Sequence, residues 1–363
     1  MTSIRHQRLL NQLLLSPSLK DPVEVVRSLV AVQAQDFHGA KWGLAQRMLS
    51  PTDDLIEKAF TAGRILRLHV MRPTWHFVAP DDVRWLLNLT ASRLKATHNY
   101  YFKKSELDDG IIKQTNKVLT KALRDGKQLT RAELRDVVKR SGIEPGDSVR
   151  FGRILFRAEL DGVVCSGARK GNQFTYALLT DRAPRSRILE RDEALTELAQ
   201  RYFTTRGPAT PQDFAWWSGL TLTDVKRAID ICGATLRSEI IEDQSYWGAK
   251  NSKGSKSKLP GPAYLLPAYD EYFISYKDRT ASIHPEFDQK SIAARLVFDA
   301  PMVVDGLCVG GWKRILSNNE VTIQLRSFAT LKSAERTAVK LAAERYAKFL
   351  GRNGKIVYKF NER

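Results

Sequence analysis

The stretch Ala31–Leu44, A-V-Q-A-Q-D-F-H-G-A-K-W-G-L, is the one around which the chain is organised. Two glutamines, Gln33 and Gln35, flank a single alanine. Asp36, His38, Gly39 and Trp42 follow closely. Residues two apart lie on nearly opposite sides of an α-helix but on one side of an extended segment. The glutamines can therefore cooperate only where the preceding helix ends or is distorted near Val32. Asp36 and Gly39 are consistent with an end there. From the residues alone, the pair equally fits ordinary surface or cap positions.

Outward from this segment the chain is strongly basic. Its 363 residues carry 58 Lys plus Arg against 40 Asp plus Glu, a formal net charge of +18. Such an excess favours polyanionic partners, because each neutralised phosphate releases a counterion. With 43% hydrophobic and 27% charged residues the composition is that of a globular protein. Cys165, Cys232 and Cys308 lie far apart and form neither a zinc spacing nor an even-numbered disulfide set, which fits core packing in a reducing compartment. The N-terminal apolar run is broken by Asn11 and Gln12 and does not read as a signal peptide. No apolar run approaches the roughly 20 residues of a membrane span. A cytoplasmic protein, nucleoid-associated when bound to DNA, is expected.

Asp21-Pro22-Val23-Glu24 is a helix start, with Asp as cap and Pro at the first position. Val25, Val26, Leu29 and Val30 carry that helix toward Gln33. Further helices are expected at 40–49 and 52–62. The run R-I-L-R-L-H-V-M-R-P-T-W-H-F-V (64–78) then reads as two strands around a turn at Arg72-Pro73. Helices followed by such a ribbon form a winged-helix pattern. The pattern repeats twice. A long helix over 105–124, the capping box Thr130–Glu133, a helix over 147–160 and strands either side of a basic tip at Arg169-Lys170 make a second unit. Helices from Asp192, Thr210 and Thr221 and strands from Leu236 make a third. The lysine-rich run 249–258, A-K-N-S-K-G-S-K-S-K, reads as a solvated loop able to meet phosphate. The last hundred residues differ, with strands at 302–309 and 320–325, a basic helix over 331–350 and a closing strand at 355–360. The expected fold is α+β: three tandem winged-helix units (1–104, 105–185, 186–265) forming a concave basic channel, closed by a C-terminal α+β segment (266–363) with a β-hairpin.

Four motifs occur in order: Q-A-Q-D from Gln33, V-M-R-P-T-W-H-F-V from Val70, L-P-A-Y-D-E-Y from Leu266 and V-D-G-L-C-V-G-G-W from Val304. Together they resemble, over nearly the whole chain, the bacterial winged-helix family that includes the AlkZ-type DNA glycosylases. The resemblance implies excision of bulky or crosslinked N7-alkylated purines from duplex DNA without lyase chemistry. It implies Gln33 and Gln35 as the catalytic pair and, within 302–325, a hairpin that approaches the minor groove. One departure is local: Pro73 stands where the family often has glycine, and proline fixes φ.

The chemistry is coherent without the analogy. An N7-alkylated purine is already cationic and leaves without a general acid. What remains is orientation and electrostatics. A glutamine carbonyl can accept from water and turn a negative dipole end toward an oxocarbenium-like sugar. Asp36 fits a structural Asx turn, an orienting group or a base; His38 fits a lesion contact or a structural histidine; Trp42 fits the core. Arg72, His76, Arg169, Lys170, Lys250, Lys253, Lys256, Lys258, Lys313 and Arg314 are the candidate DNA contacts. Asp270-Glu271 could be a catalytic dyad, but its distance in sequence from the glutamines favours hydrogen bonding between domains. No histidine spacing, phosphate loop or nucleophile elbow is present, so neither metal nor cofactor is expected. The expected partner is double-stranded DNA and the expected state a monomer; the competing reading is a non-catalytic winged-helix DNA-binding protein or regulator. Three dissimilar units in one chain suit wrapping a duplex better than reading a palindrome.

Overall fold

The computed structural model describes residues 2–250, 262–296 and 299–360. The chain opens with α1 (Thr2–Asn11) and α2 (Pro22–Leu29). The Asp21 side chain accepts from the Val23 amide, so the start of α2 follows the sequence signal. Its end does not. Val30, with φ +66°, stops the helix, and Ala31–Gln33 is a short strand, β1. Next come α3 (Phe37–Ala45), α4 (Asp53–Thr61), β2 (Leu66–His69) and β3 (Trp75–Val78). The three strands form one antiparallel sheet in the order β1-β3-β2. Gln33 pairs with His76, which pairs in turn with Leu68.

This small sheet is an internal wall. Successive strand residues point to opposite faces. Ala31, Leu66, Leu68 and Val78 join a core built largely from residues 83–236. Val32 and Phe77 join a second core shared with Trp42, Leu265, Trp312, Tyr346 and Phe349. Gln33 and His76 lie in register with Ala31 and Val78, so their side chains share the face turned to the first core. Two cores thus cross the expected unit boundaries.

The chain continues through α5 (Val83–Thr97), α6 (Asn99–Lys104) and α7 (Asp109–Ala122). The expected single helix over 105–124 is shorter than predicted. Glu106 takes φ +52°, and Asp108 caps a fresh helix by accepting from the Ile111 amide at 2.7 Å. Then follow β4 (Leu129–Thr130), α8 (Arg131–Arg140), α9 (Ser148–Leu160), β5 (Val164–Ser166) and β6 (Thr175–Leu178), with sheet order β4-β6-β5. The Thr130–Glu133 capping box forms. After α10 (Leu179–Arg182) come α11 (Arg191–Arg206), α12 (Pro211–Ser218), α13 (Leu222–Cys232) and the ribbon β7 (Leu236–Ile241) and β8 (Gln244–Ala249).

The remainder is a five-stranded sheet of order β13-β12-β11-β10-β9, from β9 (Ala263–Leu265), β10 (Ala300–Val304), β11 (Leu307–Leu316), β12 (Glu320–Ser327) and β13 (Asn353–Phe360). Two short helices, α14 (Glu271–Ile274) and α15 (Gln289–Arg295), precede β10, and α16 (Ser333–Phe349) packs on the sheet. The expected strand 302–309 is in fact two, turned at Asp305-Gly306. The end of β11 and the start of β12 run past β10 and leave Ile315 and Leu316 half-exposed. Among the described residues no helix is long and apolar enough to cross a membrane.

Candidate active site

The segment leaving β1 is pinned at Gln33 and Ala34 by groups from elsewhere in the chain. The Gln33 amide donates to Glu271 Oε1 at 2.9 Å. Its side-chain Oε1 accepts from Arg72 Nη2 at 3.1 Å. The Ala34 amide donates to the Trp75 carbonyl at 2.7 Å, and the Ala34 carbonyl accepts from Arg67 Nε at 2.9 Å. Asp36 caps α3 through the Gly39 amide at 3.0 Å. A Cβ at Gly39 would lie 2.5 Å from Asp36 Oδ2 and 3.2 Å from Pro267, so glycine is what lets this cap sit against the C-terminal segment. The helix has therefore ended before the glutamines, as cooperation between them requires. The two do not share one environment, however. Gln33 is 6% exposed, whereas Gln35 lies in a bend, is exposed and makes no side-chain hydrogen bond among the described residues.

Beneath Gln33 lies a buried ionic network. Glu271 Oε2 accepts from Arg206 Nη2 at 2.8 Å, Trp217 Nε1 at 2.8 Å and Ser275 Oγ at 2.7 Å. Burial alone would raise the Glu271 pKa, but the charge and hydrogen bond of Arg206, the charge of Arg72 and the Gln33 amide hold it down to about 2. Asp270, next to it, takes a two-pronged bond from buried Arg47 at 2.7 and 2.9 Å. This acidic pair thus joins the Gln33 segment to the region of residues 206–217 and is a scaffold, not an exposed dyad. Beside Gln33 a niche of about 10 Å³, room for about one water molecule, is bordered by Gln33, Asp36, Tyr269 and Asp270.

Basic groups from two other regions, Arg314 and Arg169, converge on the start of α3, which carries Lys41 itself. Arg314 of β11 lies 3.6 Å from Asp36 Oδ2 and donates to the Tyr346 hydroxyl at 3.0 Å. Arg169, from the tip between β5 and β6, sits over Phe37 at 5.3 Å and pairs with Glu57 at 3.5 Å. Lys41, 1% exposed, pairs with Asp53 and Glu57. His38 is exposed as a residue. Partial burial of its ring and the charges of Lys41, Arg314 and Arg169 lower its pKa and disfavour the charged imidazolium.

Several expected contacts fall elsewhere. His76 is fully buried, and neither ring nitrogen has a well-aligned hydrogen-bond partner; it cannot reach a phosphate. Burial and the neighbouring Arg72 charge drive its pKa down to about 3. Arg72 is not a solvated wing arginine, since its guanidinium is turned inward onto Gln33. The left-handed conformation that glycine would have offered at position 73 is taken instead by Met71, φ +59°, whose carbonyl packs against Gly219. Lys170 and Lys313 are exposed but paired, with Glu133 at 3.0 Å and Asp299 at 3.1 Å. Lys250 is exposed. Lys253, Lys256 and Lys258 lie outside the described residues. Arg206, Trp217 and Arg67 support the segment without any local sequence signal, whereas Glu271 is visible in the sequence as part of the Asp270-Glu271 pair. Among the described residues no group of His, Cys, Asp and Glu is arranged to hold a metal ion.

A pinned, extended polar segment thus lies where two cores meet, with Arg67, Arg72, Arg169 and Arg314 close to it. Residues 26–349 match the family described as "DNA glycosylase AlkZ-like". The chain belongs to the AlkZ-like DNA glycosylase family. It is 24% identical over 309 residues, 82% of each chain, to the "Interstrand DNA cross-link repair glycosylase" of Streptomyces sahachiroi. The structure of the Streptomyces sahachiroi DNA glycosylase AlkZ superposes with a TM-score of 0.79 at 22% identity, covering 98% of this chain and 99% of the other. The protein is a DNA glycosylase.

Proposed function

We propose that the protein is a monofunctional glycosylase that hydrolyses the N-glycosidic bond of cationic N7-alkylated purines, bulky or crosslinked ones included, in duplex DNA. The observation that carries this reading is the anchored Gln33 two residues from an open Gln35, on a segment held out of helical conformation. In this reading both carboxamides orient water and offset charge on the sugar. Neither has the proton affinity of a carboxylate, so only a leaving group that is already cationic is excised well. Preorganised dipoles of this kind are worth about 2.7–4 kcal/mol each when removed from other active sites. The relative named for crosslink repair supports a bulky lesion, because a cleft open at Gln35 does not require a snug pocket for a flipped base.

The three helix-and-ribbon regions are read as winged-helix units along the boundaries 1–104, 105–185 and 186–265. In this reading the 266–363 segment brings the β11–β12 end to the duplex, where Ile315 and Leu316 meet the minor groove; their exposure on the strand ends supports it. Arg169 and Arg314 are the phosphate contacts closest to the chemistry; Lys170, Lys250 and Lys313 lie further out. The protein acts as a monomer, nucleoid-associated when bound.

The test is excision from duplexes carrying one N7-methylguanine or, in parallel, one uracil, followed by alkaline cleavage of abasic sites. Excision of N7-methylguanine and not of uracil is expected. Equal rates on both would remove the cationic-leaving-group mechanism. Duplex binding with no excision, from wild type on any alkylated purine or crosslink, would leave a non-catalytic DNA-binding protein. A covalent adduct trapped by borohydride would contradict hydrolysis by water.

A further inference from the structure

The two glutamines are held so differently that the structure assigns them opposite hydrogen-bonding roles: we propose that Arg72 turns the Gln33 carboxamide oxygen inward, so that Gln33 presents its N–H₂ donor to the damaged nucleotide, while Gln35 alone supplies the acceptor oxygen. The inference rests on the glycosylase reading above and narrows it: of the two carboxamides, Gln35 alone orients water and offsets charge on the sugar, and Gln33 binds the nucleotide instead.

The orientation follows from chemistry. A guanidinium has only donors, so the atom 3.1 Å from Arg72 Nη2 must be the carboxamide oxygen. That fixes Nε2 on the other side. Among the described residues Gln33 Nε2 has no hydrogen-bond partner, and it is not one of the fully buried unpartnered atoms, although the residue is 6% exposed. The Gln33 amide is locked at the same time by Glu271, so backbone and side chain are both fixed. Arg72 is largely buried on the Gln33 oxygen; the charge of Glu271 attracts it, and those of Arg206 and Arg279 repel it. Its loop is held too. The Arg72 amide bonds to the Val70 carbonyl at 2.6 Å, the Thr74 amide to the Arg72 carbonyl at 2.8 Å, and Met71 packs on Gly219.

A cation on the oxygen also draws electrons from the amide nitrogen. The N–H₂ becomes a stronger donor, and the oxygen a weaker source of negative potential for an oxocarbenium ion. Gln33 therefore suits an acceptor on the nucleotide, such as a phosphate oxygen or a purine ring nitrogen. Gln35, exposed and without a partner among the described residues, keeps an unengaged carbonyl for water and for the cationic sugar. Arg72 is a positioning residue in this scheme and touches no DNA.

Isosteric swaps separate the roles. Single-turnover excision of N7-methylguanine from duplex DNA is measured at saturating protein for wild type and for Gln33→Ala, Gln33→Glu, Gln35→Ala and Gln35→Glu, with duplex affinity and melting temperature for each. Gln33→Glu keeps the oxygen on Arg72 and replaces the donor by an acceptor. It is expected to lose as much as Gln33→Ala, about 100-fold or more. Gln35→Glu keeps an acceptor and is expected to stay within about tenfold of wild type, while Gln35→Ala falls about 100-fold or more. Gln33→Glu working at least as fast as wild type while Gln33→Ala is crippled would overturn the assignment and leave the glycosylase reading intact. Wild-type rates from both alanine variants would overturn the two together.

Arg72→Ala supplies the second measurement, read as a double-mutant cycle with Gln33→Ala. Arg72→Ala is expected to slow excision about tenfold in the wild-type background and not at all in the Gln33→Ala background, with partial rescue by Arg72→Lys. A merely structural arginine would shift the melting temperature and slow both backgrounds equally, and that result would overturn the positioning role.

Discussion

The floor under Gln33 and the projecting end of β11–β12 are the two extremes of this molecule. In the floor, Glu271, Arg206, Trp217, Ser275 and Gln33 are nearly all out of water and joined by hydrogen bonds of 2.7–2.9 Å. At the hairpin end, Ile315 and Leu316 are more than half-exposed, and the basic groups behind them, Lys313 and Arg314, are tied to Asp299 and Asp36. One region is finished without DNA. The other leaves apolar surface exposed, which a partner must cover to be of use. The proposed mechanism, which relies on orientation, requires the first to be rigid and the second to be adaptable, and the changes below probe each side.

The largest effect is expected in the floor. Glu271→Ala leaves Arg206 buried without its carboxylate, and breaking a buried pair in this way costs about 3–5 kcal/mol. Urea unfolding would register it as a large fall in midpoint. A change below about 1 kcal/mol would mean that the network is not what holds residue 33 in place.

Acid should dissolve the floor in two steps. His76 titrates near 3 when folded against 6.5 when free, so the unfolded chain takes up a proton between those values and stability falls as pH drops from about 6.5. Glu271 has a depressed folded pKa of about 2 against 4.5, so its contribution is intact above about 4.5 and is lost as pH falls toward 2. Both slopes have the same sign. Unfolding midpoints across pH 7 to 4 should decline for wild type and decline less for His76→Leu between 6.5 and 4.5; identical slopes would contradict the buried neutral imidazole.

The hairpin end should behave oppositely. Ile315→Asp with Leu316→Asp is expected to weaken duplex binding about tenfold while unfolding shifts by under about 0.5 kcal/mol, as for other surface changes. Unchanged duplex affinity would remove this end from the interface. The smallest effect is expected at Lys170, whose solvent-exposed pair with Glu133 adds little to stability. Lys170→Ala should leave stability unchanged and lower the salt dependence of binding by about one phosphate contact. An unchanged slope would place the β5–β6 tip outside the DNA footprint.

The same contrast explains what could be read from the chain beforehand. The start of α2 was legible because Asp21 and Pro22 act locally. Its end was not, because Val30 adopts a positive φ only where two cores meet around it. β1 has three residues, too few for a two-residue period to show, and exists because β3 offers it hydrogen bonds. The glutamines and the acidic pair 270–271 were both visible. Their contact was not, since no local pattern records that residue 33 meets residue 271. The sequence makes Arg72 and His76 candidate phosphate contacts because a basic turn between strands usually faces solvent. Here the sheet is an internal wall, and that reverses their direction.

The most direct test of the account is strand cleavage of a duplex bearing one N7-methylguanine after incubation with wild type or Gln35→Ala and alkali. The account predicts breaks with wild type that fall about 100-fold or more in the variant, while duplex affinity and melting temperature stay unchanged. Undiminished breaks from Gln35→Ala would contradict it and move the chemistry away from the segment on which the chain is built.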